Sequence, residues 1–454
     1  MSTKKPQSYG LYDPTAGSDS CGVGFITRKD GEQTHEILQM AHSALCTVPH
    51  RGGMSAEGVG DGAGVNVDLS LHFFRKITGQ PLEAGRFGVG NFFVPKDAEL
   101  RANAERLVDE TLSSFGLPVI MKRDMPLDSS VTRPAAIQFQ LPILQWIFTA
   151  PQDVADQNDF EQRIYRALLT IEARAFTESE FGGLYPLSLS SRTQVFKARL
   201  NSNEVIPYFK DLTDPDHQVR GLFFHTRFST NTDPHTTMAQ PFRLMAHNGE
   251  LNTDRKNRIA ESALALARGK KIVRPKGQSD SSRLDQSIHS RLMEDNLDLI
   301  TAVVSMMPPA WENDSSLSTE VRDMLEYFSL YEEKNDGPAA LIFGNGEVIG
   351  ARLDRLGLRP LRSVETADYI GAMSEAGQIA FPPESVLRRG RIEAGGMLYF
   401  DHREKRSYTT LQALEKLAAE KDYSALLREA RVGLDDLPEI PAEQQGSPLR
   451  YRGD

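Results

Sequence analysis

Apolar positions along this chain change period several times, and each change predicts an element. Between residues 34 and 48, Ile37, Met40, Ala41, Ala44, Leu45 and Val48 recur at the spacing of one helix face, and Pro49 stops the pattern. A glycine-rich stretch follows at 52–64. Val65, Val67 and Leu69 then alternate as a half-buried strand. Residues 87–94 and 135–141 predict further strands, with helical patterns at 101–115 and 158–178. Gly221-Leu222-Phe223-Phe224-His225 is a compact apolar strand, and helices are predicted at 254–268 and 281–295. Beyond residue 338 short strands take over. Leu341-Ile342-Phe343 and Val348-Ile349 flank Gly344-Asn345-Gly346, a hairpin signal, and strands follow near 369–373 and 396–400. A polar helix at 410–430 precedes a tail rich in Pro, Gly and Glu. Strands at both ends with helices between, and no linker before residue 405, predict one α+β domain.

Composition narrows the function. The 454 residues carry a net charge of −10, with no basic face of the kind nucleic acid requires. The densest basic stretches, Arg268 to Lys276 and Arg388 to Arg391, are interrupted and read as solvated loops or helix ends. Two cysteines, Cys21 and Cys46, exclude a disulfide framework, a four-cysteine zinc site and a cysteine-ligated iron–sulfur cluster within this chain. No metal is implied. The first twenty residues lack the apolar core of a secretory signal, and no run of about eighteen apolar residues occurs. A cytoplasmic location is the expectation.

Four places carry candidate chemistry. Cys21 opens Cys21-Gly22-Val23-Gly24-Phe25 after a short polar tail. A cut at Ser20–Cys21 would set an α-amine, titrating near 7.7–8.0, beside a thiol titrating near 8.5, so one residue would supply nucleophile and base. The alternative is a buried cysteine entering a strand. His225-Thr226-Arg227-Phe228-Ser229-Thr230-Asn231 sets Arg227 and Thr230 at a strand end, suited to capture of a carboxylate or merely to covering the sheet edge. In Ala246-His247-Asn248-Gly249-Glu250, Asn-Gly is either a hairpin turn or a pair of donors, the Asn248 amide and the Gly249 N–H, for an oxyanion. Asp280, within Ser279-Asp280-Ser281-Ser282, belongs to a helix cap or meets a substrate ammonium. Gly58-Val59-Gly60-Asp61-Gly62-Ala63-Gly64 is not a phosphate loop, because it follows a helix and opens a strand.

The order of these signals resembles the class II glutamine amidotransferases, N-terminal nucleophile hydrolases that begin with cysteine. The resemblance is closest to the amidase domain of the glutamate synthase large subunit. It is carried by Tyr12-Asp13-Pro14 before Cys21, by His50-Arg51-Gly52-Gly53, Gly60-Asp61-Gly62-Ala63-Gly64, Arg227 to Asn231 and Ala239-Gln240-Pro241-Phe242. It continues through Ala246 to Glu250, Asp336-Gly337-Pro338-Ala339-Ala340, Leu353-Asp354-Arg355 and Gly357-Leu358-Arg359-Pro360, and spans about residues 11–401. It implies a four-layer α/β/β/α sandwich and hydrolysis of L-glutamine. It also implies Cys21 as nucleophile, Asn248 and Gly249 as oxyanion hole, Arg227 with Thr230 on the α-carboxylate, Asp280 on the α-ammonium, and Arg51 nearby.

The implied organisation is a propeptide at 1–20, a glutaminase domain at 21–404 and a helical, polar tail at 405–454. The loop from Met54 to Gly60 is shorter than the family's. The synthase's flavin barrel and iron–sulfur cluster have no counterpart, since no cysteine follows Cys46. No cofactor is therefore expected here: the chain is either a separate subunit, with FMN and the cluster on a partner chain that receives ammonia in an oligomeric assembly, or a domain excised from the full synthase. Other readings are an N-terminal nucleophile peptidase or acylase, and an unprocessed regulatory module of the same fold. Arg227 with Asp280 disfavours the former, because that pair reads both ends of a free amino acid.

Overall fold

Residues 21–48, 53–55, 57–226, 235–251 and 255–432 are described by a computed structural model. Among them are sixteen strands. The first eight are β1 (Gly22–Arg28), β2 (Ala63–Asp68), β3 (Phe87–Phe93), β4 (Val119–Asp124), β5 (Ile143–Thr149), β6 (Tyr185–Ser190), β7 (Thr193–Ala198) and β8 (Gly221–Thr226). The rest are β9 (Met245–Gly249), β10 (Ala339–Gly344), β11 (Val348–Leu353), β12 (Arg362–Thr366), β13 (Tyr369–Met373), β14 (Val386–Arg391), β15 (Met397–Asp401) and β16 (Arg406–Thr409). They form antiparallel sheets of seven strands (β14-β12-β13-β1-β8-β2-β7), five (β16-β15-β11-β10-β9) and four (β4-β5-β3-β6).

The period-two alternation of side chains layers the molecule. On β1, Val23 and Phe25 join Phe223 of β8, Ala246 of β9 and Ala340 and Ile342 of β10 in one buried cluster between the two larger sheets. The opposite face of the seven-stranded sheet, with Ile26, Val65, Val67, Leu222 and Phe224, packs on Ile37, Leu38, Ala41, Ala44 and Leu45 of the Glu36–Cys46 helix. The opposite face of the five-stranded sheet packs on the helices Asp280–Glu294, Leu299–Met306 and Thr319–Tyr331. Helix, sheet, sheet, helix is the α/β/β/α sandwich that the resemblance implies. The four-stranded sheet is additional. It packs its own core, including Phe92, Trp146, Phe148 and Leu168, against the helices Ala98–Ser114 and Gln157–Ala175.

Four expectations change. Residues 135–141 are not a strand: Pro134 opens a 3-10 turn, Pro134–Phe139, and β5 starts only after Pro142. Arg388 to Arg391 lie on β14, an edge strand whose exposed charges discourage pairing with another chain. Residue 404 is no packing boundary. β16 pairs with β15, and Tyr408, Leu414 and Leu417 join the core of the five-stranded sheet. The helix expected at 410–430 is two, Thr410–Ala418 and Tyr423–Ala430, the second capped by Asp422, whose carboxylate accepts from the Ala425 N–H at 2.9 Å.

Candidate active site

Cys21 precedes β1 directly, and the start of that strand is gripped from both sides. The Gly22 N–H donates to Thr226 Oγ1 of β8 at 3.0 Å, and the Val23 N–H donates to Ser374 Oγ, just past β13, at 3.1 Å. The Ser374 N–H returns a bond to the Val23 carbonyl at 2.9 Å. Cys21 stands two residues before Val23, which with Phe25 turns into the space between the sheets. Its side chain is half-buried, and neither cysteine is in a disulfide. Ser374 carries no signal in its local sequence, and only the folded sheet reveals its part.

Asn248 and Gly249 end β9, which packs against β1 from the facing sheet. They are not the loop of a hairpin, because β9 pairs with β10, Ala340 opposite Asn248 and Ala339 opposite Gly249. Asn248 shares its face with Ala246 of the inter-sheet cluster, so its carboxamide lies on the side of the sheet that faces β1. It is 1% exposed, yet among the described residues neither Nδ2 nor Oδ1 has a hydrogen-bond partner. Buried amides are rarely left this way, and an unmade bond of this kind calls for an explanation such as a catalytic role or a bound ligand or water. Gly249 has φ +137°, and a Cβ there would sit 1.8 Å from the Pro338 carbonyl oxygen. Only glycine allows the two backbones to come this close.

The Ser279-Asp280-Ser281-Ser282 segment caps a helix. Ser279 Oγ accepts from the Ser282 N–H at 3.2 Å, and Asp280 is the first helical residue. The capping role therefore falls to Ser279 and leaves the Asp280 carboxylate on the surface of the first turn, with Arg258 Nη2 at 3.0 Å from Oδ1. Ser281 Oγ is hydrogen-bonded to His247 Nε2, which sets the start of the Asp280–Glu294 helix against the strand end that bears Asn248. Burial pushes His247 down to about 4 and His225, behind it on β8, down to about 3, so both rings are neutral near pH 7.

The structure thus brings the strand ends bearing Cys21, Asn248 and Gly249 together, with Asp280 alongside. Arg51, Arg227 and Thr230, like the expected propeptide, lie outside the described residues. Among the described residues no group of His, Cys, Asp or Glu side chains could hold a metal ion, and no helix is long and apolar enough to cross a membrane. The glycine-rich segment 58–64 serves packing: a Cβ on Gly60 would come within 2.2 Å of the Leu200 carbonyl group. In the short loop before it, the Ser55 N–H donates to the Val59 carbonyl at 2.9 Å.

The chain is 34% identical to the glutamate synthase [NADPH] large chain of Bacillus subtilis over 464 residues, covering 98% of this chain and 30% of that protein. It is 31% identical to the glutamate synthase [NADH] of Schizosaccharomyces pombe over 451 residues, covering 95% of this chain and 21% of the relative. It thus spans about a fifth to a third of the length of these relatives. Among solved structures, the allosteric regulatory enzyme of purine biosynthesis aligns loosely, with TM-score 0.30 and 14% identity over 71% of this chain and 48% of that one. The family of class-II glutamine amidotransferases matches residues 21–426, a span that opens at Cys21. The chain belongs to the class-II glutamine amidotransferases and is an enzyme of that class, related to the glutamate synthases.

Proposed function

We propose that the chain hydrolyses L-glutamine to L-glutamate and ammonia through a thioester on Cys21. The observation that carries this reading is the buried Asn248 carboxamide, unpartnered on the inter-sheet face at the end of the sandwich where Cys21 opens β1. Removal of residues 1–20 frees the Cys21 α-amine, a step consistent with a family match that begins at that residue. The amine takes the thiol proton, and Sγ attacks the side-chain amide carbon. The oxygen of the tetrahedral intermediate takes its negative charge between Asn248 Nδ2 and the Gly249 N–H. Collapse breaks the C–N bond, and the α-ammonium protonates the departing ammonia. Water then attacks the thioester, releasing glutamate and restoring the thiol.

Asp280 holds the substrate ammonium. Arg227 with Thr230 holds the α-carboxylate, and Arg51 stands close by; these three roles rest on the family resemblance alone. The ammonia passes to a glutamate-synthase-like partner that carries FMN and the iron–sulfur cluster, within an oligomer in the cytoplasm. The likeness to glutamate synthases supports this reading; the matching segment makes up 21–30% of their length. A stoichiometric assay tests the reading: one glutamate and one ammonia per glutamine, and no cleavage of peptides. Peptide cleavage, or no turnover by a chain whose N-terminus is Cys21, would overturn it.

A further inference from the structure

Among the described residues nothing hydrogen-bonds the Asn248 carboxamide, so its position depends on its neighbours. It also sits on β9, an edge strand of the five-stranded sheet, which among the described residues has a ladder partner on one side only. An edge strand with its last residues poised over a reaction needs substitutes for the missing strand. His247 receives them. Its backbone N–H donates to Gln240 Oε1 at 2.8 Å, and its carbonyl accepts from His225 Nε2 at 3.1 Å. Its ring, pointing to the opposite face, is hydrogen-bonded through Nε2 to Ser281 Oγ. The residue before the oxyanion donor is thus tied at amide, carbonyl and side chain.

The His225 bond crosses between the sheets. His225 lies on β8 opposite Val23 of β1, two residues from Cys21, while the carbonyl it holds is one residue from Asn248. Because Nε2 donates to a carbonyl, it carries the proton and Nδ1 is bare; Nδ1 is buried without a partner. A ring charged at both nitrogens would leave a second donor unsatisfied there. Burial keeps both histidines neutral, so the brace does not loosen near pH 7.

We propose that His225 and His247 are positioning residues, a cross-sheet brace, anchored by Ser281 through the His247 ring, that sets the gap between the Cys21 thiol and the Asn248–Gly249 donors. The proposal rests on the glutaminase reading above. It assigns these residues no contact with substrate; they act through Asn248. A displacement of an oxyanion donor by a fraction of an ångström should weaken transition-state binding while leaving ground-state glutamine binding intact.

The test compares His225→Ala, His225→Gln and Ser281→Ala with the parent enzyme, each checked for an unchanged melting profile. Measured quantities are kcat, KM for glutamine, affinity for glutamate, and affinity for the aldehyde analogue of glutamine, whose adduct with Cys21 places an oxygen in the oxyanion hole. The brace predicts that kcat falls about 30-fold in His225→Ala and about 5-fold in Ser281→Ala, with KM and glutamate affinity within twofold. Aldehyde affinity should fall in step with kcat, and His225→Gln, which keeps a donor, should recover most of both. If His225→Ala does not fold, Ser281→Ala decides alone, since it deletes one hydroxyl and leaves the Ser279 cap in place. A folded variant with kcat within twofold of the parent, or one whose loss lies in KM, overturns the brace but not the glutaminase reading. A parent enzyme that turns over no glutamine overturns both.

Discussion

Replacing Asn248 with alanine should separate catalysis from folding, because the structure gives the carboxamide nothing to hold. Both of its polar atoms are buried without a hydrogen bond. Each such atom costs the folded state about 1–3 kcal/mol relative to the hydrated chain. Alanine removes both and leaves a cavity of three heavy atoms, which costs about 1 kcal/mol. The balance is a variant at least as stable as its parent, with a melting midpoint unchanged or raised by about 2 °C. Turnover should move the other way. Loss of one oxyanion donor raises the barrier by about 2.7–4 kcal/mol, or roughly 100- to 1,000-fold in kcat, with KM for glutamine little changed. Thermal denaturation and a steady-state glutaminase assay on the same preparation measure both. A kcat within fivefold of the parent would remove Asn248 from the oxyanion hole. A midpoint lowered by more than about 5 °C would make it a residue that holds the fold together.

Three further expectations follow from the same geometry. Gly249→Ala drives a Cβ into the Pro338 carbonyl at a backbone angle L residues avoid, and should cost at least about 3 kcal/mol, read as a large drop in midpoint or loss of soluble protein; a midpoint within 2 °C would contradict it. Asp280→Asn removes a charged acceptor worth about 1.5–3 kcal/mol, so KM for glutamine should rise at least about 10-fold with kcat within about threefold, and an unchanged KM would release Asp280 from the ammonium role. Among the described residues, burial holds His217, His225, His289 and His402 down to about 3 and His247 to about 4, against an ordinary value of 6.5. Below pH 6.5 the unfolded chain takes up protons that the folded rings refuse, so this stability is present above 6.5 and is lost as pH falls toward 4. Each ring gives up about 1 kcal/mol between pH 6.5 and 5.5, and a midpoint that stays flat or rises over that interval would refute the neutral, buried assignment.

Local patterning revealed much of this fold where contacts are local. The three-and-four spacing of Ile37, Ala41, Ala44 and Leu45 became the Glu36–Cys46 helix, and Gly344-Asn345-Gly346 became the turn between β10 and β11. Patterning misled where distant pairing decides. Asn248-Gly249 has the composition of a hairpin turn, but its strand pairs with residues some ninety positions later and the loop never forms. The third sheet was illegible for the same reason: β3 and β6 join across almost a hundred residues, and β5 hides behind Pro142. At the candidate site, the placing of Cys21, Asn248, Gly249 and Asp280 at element ends was legible in their motifs, while the roles proposed for them rest on the resemblance. Ser374 and the brace through His225 were not, since each acts through a bond between elements that sequence spacing does not encode.

The most direct test of the central claim is the intact mass of the purified protein before and after exposure to a diazo-ketone analogue of glutamine. A processed glutaminase would show a chain lacking residues 1–20 and a single adduct mapping to Cys21, with Cys46, exposed on its helix, unmodified. A chain still carrying its first residues and taking up no label, or one labelled at Cys46 instead, would contradict it.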